Sequence, residues 1–346
     1  MRPIVDNFVA EHEDVYLVLA DMGSFPRCRS ECPSRVVDVG PAEGNAMNVA
    51  LGLALCGRRV FIYGVAGFIL YRAWEQWKLY AGKTYVDHPE GLPITFLNGG
   101  SGFLYSQCGL GHYVLDDLAH CLLCPRVSVW LPYDGATTRK SLQGAYEKKG
   151  PSYIRLAPDS SPDVYDVLTR TQFVPTDTVL DPQDSFECMQ GYAFSPSDDV
   201  ANLSDLDDPE DVREAFAQVS LKSEPSCYVY TMGWLVPRVD EVCAYLNSLP
   251  DGAKYKFSCV PITYIDSSVF YSDVEDVDTV VIEDHVVAGG LLNAFDGLSS
   301  LALHICVTSE DDIAGDLEEV RHAYGLSYDA LSSYLFDLRK QRLEDL

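Results

Sequence analysis

Basic residues are scarce in this sequence: 25 Lys and Arg stand against 52 Asp and Glu in 346 residues, a formal net charge of −27. Such a field repels phosphodiester backbones and anionic lipid, which excludes nucleic acid and membrane surfaces as partners and leaves solubility as the use of the charge. Long apolar runs are also missing. No stretch reaches the roughly 20 apolar residues that cross a bilayer. The opening Met1-Arg-Pro-Ile-Val-Asp6 lacks the charged and apolar regions of a signal peptide. These absences predict a cytoplasmic protein. The cysteine count of 11 is odd, which does not suit a complete disulfide framework. Cys56, Cys227, Cys243 and Cys259 lie in apolar segments and read as buried, reduced thiols. Cys28 and Cys32, with Cys121 and Cys124, could clamp zinc, but the second pair lies at the end of an expected helix and Pro125 follows it directly. No metal site is predicted.

What the chain does have is a 47% apolar content, enough for two cores at this length. Short apolar runs of strand length fall at Val15–Ala20, Val60–Tyr63, Pro93–Leu97, Val127–Leu131 and Tyr153–Leu156. Between them, Ala42–Cys56, Phe68–Ala81, Tyr113–Leu123 and Thr137–Lys149 read as helices. Alternation of this kind predicts a mainly parallel sheet with helices on its faces. From 158 to 225 the texture turns to Asp, Ser and Pro, with the acidic run Asp205-Leu-Asp-Asp-Pro-Glu-Asp211; this reads as a linker holding one short helix at Pro209–Val219. Alternation then resumes, with strands at Cys227–Met232, Lys256–Val260, Thr279–Glu283 and Leu301–Val307 and a helix over Val236–Leu249. Helices over Asp311–Tyr324 and Tyr328–Leu343 close the chain. The expected division is 1–157, an acidic linker 158–225, and 226–346.

Chemistry is concentrated in Asp38-Val-Gly-Pro-Ala-Glu43-Gly-Asn45, where a lone carboxylate opens the nearly all-apolar helix Ala46–Cys56. Burying a carboxylate without a partner favours its neutral form, so Glu43 must find a hydrogen-bonding group or hold a proton. It reads as a proton-handling residue, with an N-terminal helix carboxylate stabilised by the macrodipole as the alternative. Next comes Tyr63-Gly-Val-Ala-Gly-Phe68-Ile-Leu-Tyr-Arg72-Ala-Trp-Glu75-Gln76, a glycine-rich turn presenting an aromatic ring. His112 lies on the glycine-flanked segment Gly102-Phe-Leu-Tyr-Ser-Gln-Cys108-Gly-Leu-Gly-His112, where backbone can approach a ligand and an imidazole can titrate at working pH.

These segments resemble the pyrimidine-binding domain of thiamine diphosphate enzymes, in the branch of transketolase and 1-deoxyxylulose-5-phosphate synthase. Gly150-Pro-Ser-Tyr-Ile-Arg155-Leu, which closes the domain, fits the same family. Far downstream, Val280-Val-Ile-Glu283-Asp-His285-Val-Val-Ala-Gly289-Gly290-Leu291 is similar to the motif of the transketolase C-terminal domain. The resemblance implies an α/β fold of two three-layer α/β/α domains. It also implies a missing piece, because the family's Gly-Asp-Gly motif, which holds metal and diphosphate, does not occur here and too few residues precede Val15 to hold its domain. The chain then reads as the C-terminal half of a split transketolase. An N-terminal subunit would carry Gly-Asp-Gly and the ligands for Mg2+ or Ca2+, in an α2β2 heterotetramer acting on a small molecule.

By resemblance, Glu43 hydrogen-bonds N1′ of the cofactor's aminopyrimidine and shuttles a proton there, Phe68 stacks on that ring, and Tyr63, Arg72 and Asp21 are cofactor neighbours. His112 faces the substrate and assists proton transfer, with Ser24 and Cys108 on the substrate side, while Glu283 and His285 serve domain packing. Three positions depart from the family: Cys108 replaces an Asp, Gly100 a His, and Pro158 a phosphate-binding Arg. Those departures point to a different substrate or to contacts supplied by the partner. The function implied is transfer of a two-carbon ketol or acyl unit. A beta subunit of a 2-oxo acid dehydrogenase or decarboxylase complex and a non-catalytic scaffold partner are the alternatives.

Overall fold

The computed structural model describes residues 1–21, 23–82, 91–124, 126–156, 225–266, 277–295, 298, 300–308 and 313–344. Two sheets organise them. The first has seven strands: β1 (Val15–Leu19), β2 (Val36–Asp38), β3 (Arg59–Gly64), β4 (Ile94–Asn98), β5 (Ser128–Trp130), β6 (Ser152–Arg155) and β9 (Tyr264–Asp266), in the order β2-β1-β3-β4-β6-β5-β9. Every pairing in it is parallel except β5 with β9. The second sheet is wholly parallel, with β7 (Cys227–Met232), β8 (Phe257–Ile262), β10 (Asp278–Val286) and β11 (Leu301–Val307) in the order β11-β10-β7-β8. The α/β class and the mainly parallel sheets expected from the alternating pattern are therefore present. The expected linker and its short helix lie outside the described residues, apart from Pro225.

Alternate residues of the first sheet feed two cores. Val18, Val60, Ile62 and Phe96 join one cluster; Leu17, Leu19, Phe61, Tyr63 and Leu97 join another on the opposite face. That period of two is what a sheet covered on both faces requires. Helix α1 (Arg2–Glu11) and helix α2 (Pro26–Glu31), neither expected from the sequence, cover the second face with Val5, Val9 and Cys28. Helix α3 (Glu43–Leu55) covers the first, burying Ala46, Met47, Ala50 and Ala54 along one stripe.

Three expected helices change. The one at Phe68–Ala81 is two, α4 (Ala66–Arg72) and α5 (Trp74–Gly82), broken at Ala73 (φ −111°, ψ 22°). Tyr71 and Trp74, which flank the break, both pack on His120, with ring centroids 5.0 and 4.9 Å away. The one at Tyr113–Leu123 shortens to α6 (Asp117–Leu122). Its first residues are committed elsewhere: Val114 exchanges two hydrogen bonds with Gly102, each 3.0 Å, and Leu115 O accepts from Val286 N at 2.8 Å. Tertiary pairing has overridden helix propensity there. Helix α7 (Gly135–Glu147) follows the expected course, and the second sheet carries α8 (Leu235–Ser248). The expected helix at Asp311–Tyr324 is only α9 (Leu317–Ala323) in the described residues, started by the Asp316 carboxylate accepting from Glu318 N. Helix α10 (Tyr328–Glu344) ends the described chain. Of the four cysteines expected to be buried, Cys56 is exposed, because it terminates α3 instead of lying on its packed stripe; Cys227, Cys243 and Cys259 are buried free thiols.

The halves share an interface. Phe103 stacks on Tyr324 with centroids 4.8 Å apart, and Phe103, Tyr113 and Leu115 enter the same cluster as Val229, Leu235 and Ile282. Nearby, the fully buried Glu283 carboxylate accepts from Leu291 N and lies 2.7 Å from His304 Nε2. A Cβ at Gly290 would sit 2.7 Å from Glu283 Cδ, so Gly290→Ala must push an anchored carboxylate aside. The substitution is expected to cost about 1–3 kcal/mol, read as a lower urea midpoint at unchanged slope.

Candidate functional site

The carboxyl ends of β1 to β4 lie along one edge of the first sheet, where open parallel sheets gather ligand groups. Glu43 is the first residue of α3, just beyond β2, and only 8% exposed. It is not a lone carboxylate. Arg72, at the end of α4, places Nη1 2.6 Å from Glu43 Oε1, and the same guanidinium carbon lies 4.5 Å from the centroid of the Phe68 ring. Phe68 in turn meets His112 edge-on, with centroids 5.0 Å apart at 80°. Tyr105 approaches the same imidazole at 6.3 Å. Glu43, Arg72, Phe68 and His112 thus form one continuous group drawn from two helices and the loop after β4. His112 Nδ1 is buried and has no hydrogen-bond partner among the described residues. A buried ring nitrogen left in this state is costly.

The other sequence candidates fall differently. Tyr63 belongs to the opposite face of the sheet, buried and edge-on to Phe25 at 5.0 Å, and a Cβ at Gly99 would strike its ring. The pleat sends it there, since Ile62 and Tyr63 must point to opposite sides. Asp21 and Ser24 are exposed on the turn after β1. Asp21 has φ +54° and its N–H donates to Asp38 Oδ1 at 3.4 Å. Burial raises the Asp38 carboxyl, but hydrogen bonds from Arg29 and from the Gly40 and Asp21 amides outweigh it and hold the group below its ordinary value. Cys108 is exposed at the end of a short 3-10 turn, Ser106–Cys108. Glu283 and His285 are fully buried in the second sheet.

Sequence reasoning missed a second constellation, buried behind the first. Arg155, at the end of β6, donates from Nε to Asp117 (3.0 Å), from Nη1 to Asp284 (2.7 Å) and from Nη2 to the carbonyl of Val114 (3.1 Å). Trp234 Nε1 donates to the other Asp284 oxygen at 2.5 Å, and the Tyr153 hydroxyl donates to Asp117. Burial pushes the Asp284 carboxyl above its ordinary value, against the pull of Arg155. Burial lowers the affinity of the Arg155 guanidinium for its proton, but the two carboxylates reverse this and drive it above its ordinary value. Arg155 and Asp284 stand inside the two motifs at 150–156 and 280–291, but nothing along the chain shows that they meet. Among the described residues no group of three or more His, Cys, Asp or Glu side chains gathers as a metal site would.

At one end of a mainly parallel sheet, a buried carboxylate at a helix start thus stands in one group with an aromatic ring and an imidazole. Residues 5–161 match the family described as transketolase, pyrimidine binding domain, so this segment is such a domain. The chain is similar to an apulose-4-phosphate transketolase subunit of Phocaeicola vulgatus, 29% identical over 45% of this chain and 49% of that one, so the match spans about half of that relative's length. It is also similar to the putative transketolase C-terminal section of Methanocaldococcus jannaschii, 22% identical over 96% of this chain and 92% of that one. Among solved structures, a split gene transketolase described as an inactive beta4 tetramer superposes with a TM-score of 0.60 at 19% identity, covering 98% of this chain and 95% of that one. The resemblance to the C-terminal half of split transketolases, read from the motifs, holds.

The buried network makes a direct prediction. Arg155→Leu leaves Asp117 and Asp284 buried without their counter-charge. The expected loss is about 3–5 kcal/mol, measured by urea unfolding followed at the tryptophan signal.

Proposed function

We propose that this chain is the C-terminal subunit of a split thiamine diphosphate-dependent transketolase that moves a two-carbon ketol or acyl unit, and that it works in the cytoplasm with an N-terminal subunit. The observation that carries this reading is the buried Glu43 carboxylate at the start of α3, grouped with Phe68 and with an imidazole whose Nδ1 is unpartnered among the described residues. These residues suit the pyrimidine end of the cofactor: an acid for a ring nitrogen, an aromatic ring, and a second proton carrier. When bound, thiamine diphosphate supplies a nucleophilic carbon that opens the bond beside a carbonyl and holds the electron pair. Glu43 donates and retrieves a proton at N1′ of the aminopyrimidine, a task suited to a carboxyl largely withdrawn from water. Phe68 provides an apolar ring against the heterocycle. Arg72 orients Glu43 through their ion pair. His112 moves a proton at the substrate oxygen, with Cys108 and Ser24 on the approach to it and Asp21 at the cofactor's rim.

The names of the relatives support dependence on a partner, since one is a single subunit of its transketolase and another is a beta4 tetramer described as inactive. In this reading Mg2+ or Ca2+ and the diphosphate are held by the Gly-Asp-Gly subunit. The transketolase names also favour this reading over a 2-oxo acid dehydrogenase beta subunit or a silent scaffold.

In the complex with its partner, Glu43→Gln is expected to lower turnover at least 100-fold, on the order of a lost general acid, with the circular-dichroism spectrum unchanged. Near-normal turnover refutes the role of Glu43. Calorimetry of the chain alone with thiamine diphosphate and magnesium is expected to show no micromolar binding, and light scattering of the co-expressed pair should give two copies of each subunit, tightened by cofactor. A monomer of this chain that turns over substrate unaided is incompatible with the proposal.

A further inference from the structure

The Glu43 group lies at the edge of the first sheet, yet a buried line of hydrogen bonds reaches its two supporting segments from the second. It starts at Asp284 on β10, which holds Arg155 and Trp234. From Arg155 one arm goes to the carbonyl of Val114, two residues after His112, in the pair that clips the ends of the His112 loop to Gly102. The other arm goes through Asp117 to the Tyr153 hydroxyl, and from there to Asn98, whose Nδ2 lies 2.8 Å from that oxygen. Asn98 Oδ1 accepts from Ala66 N at 3.0 Å and from Gly100 N at 2.9 Å. Ala66 is the first residue of α4, the helix that carries Phe68, and Gly100 begins the His112 loop.

The polarity of this line admits one arrangement. Asp117 accepts, so the Tyr153 hydroxyl must donate to it and accept from the Asn98 amide; the Asn98 oxygen is then left for two backbone N–H groups. Asn98, Asp117, Tyr153 and Asp284 are wholly buried, and Arg155 is 2% exposed. Adhesion between the halves does not require such a set. The apolar packing of Phe103 on Tyr324 serves that purpose, and a guanidinium with two carboxylates carries a heavy desolvation cost. What the set adds is that it ends on the backbone of the segments carrying Phe68 and His112.

We infer that Asp284 is a positioning residue supplied by the second sheet, which through Arg155, Tyr153 and Asn98 fixes the separation of Phe68 and His112. The site then responds to how the second sheet is docked, although that sheet need not touch cofactor or substrate. The catalytic consequence rests on the function proposed above; the coupling itself does not.

The test uses the whole chain without cofactor, which separates the two readings. Tyr153→Phe cuts the line without changing the volume of the ring, Asp284→Ala removes its origin, Asp284→Asn keeps hydrogen bonding, and Tyr324→Leu loosens the apolar interface from the side of the second half, outside the His112 loop. Hydrogen exchange at the Ala66 and Gly100 amides and the His112 ring resonance are followed. Tyr153→Phe is expected to speed exchange at these two amides by about tenfold, the size of one lost hydrogen bond, with the other amides of β3 and β4 unchanged. Asp284→Ala is expected to move the His112 resonance and Asp284→Asn to restore it in part, while Tyr324→Leu leaves it in place. The inference is overturned if Tyr153→Phe leaves both amides unchanged, or if Tyr324→Leu produces the same changes at equal loss of stability. Should Asp284→Ala not fold, Asp284→Asn takes its place, and an unmoved His112 resonance in it overturns the inference. Normal turnover by Glu43→Gln would remove the proposed function and leave these results standing.

Discussion

One guanidinium shared by two buried carboxylates is the constraint on which the rest of this structure depends. Asp117 opens a helix of the first sheet and pairs with Arg155 inside that half, whereas Asp284 lies on a strand of the second, so the guanidinium meets both carboxylates only when both sheets are in place. A charge cluster so deprived of water tolerates little displacement, because its ions have only one another and the few groups bonded to them, Tyr153, Trp234 and the Val114 carbonyl, to replace solvation. The apolar contacts around it can slide at small cost. The cluster therefore sets the register between the halves, and the loop after β4 and the start of α4 take their positions from it.

The site in front of this cluster has a different character. Glu43 is withdrawn from water but its partner Arg72 keeps 56% of its side chain exposed. Phe68 and His112 are half-buried, edge to face, and one imidazole nitrogen has no partner among the described residues. A rigid, fully satisfied layer thus supports an incompletely satisfied one, the division expected where a surface is built to receive a ligand.

Much of this was legible in the sequence, for definable reasons. The strands at Cys227–Met232 and Leu301–Val307 are apolar runs interrupted only by Thr231 and His304, and α3 is a stripe of small apolar residues behind a single carboxylate; both are local signals. Glu43, Phe68 and His112 were readable because each interrupts its surroundings, a charge before an apolar run or a ring among glycines. Arg72 as the partner of Glu43 was not, since 29 residues separate them and only the fold brings them together. Tyr63 was misplaced because spacing along the chain does not tell which side of a strand faces the ligand edge. The shortened helix at Asp117 and the buried Arg155 network depend on pairings across the interface, which no window of sequence contains.

The three residues Tyr264–Asp266 carry a consequence for how such a protein can be divided. They come from the C-terminal half but complete the N-terminal sheet, antiparallel to β5, with Trp130 packed on Tyr264 at 4.7 Å and Leu131 N bonded to Thr263 O. A chain severed between its two sheets would leave Ser128–Trp130 as a bare edge with an uncovered indole, a ready template for pairing with any other strand. A cut between the two sheets of this architecture would therefore turn a covered strand into an aggregation surface.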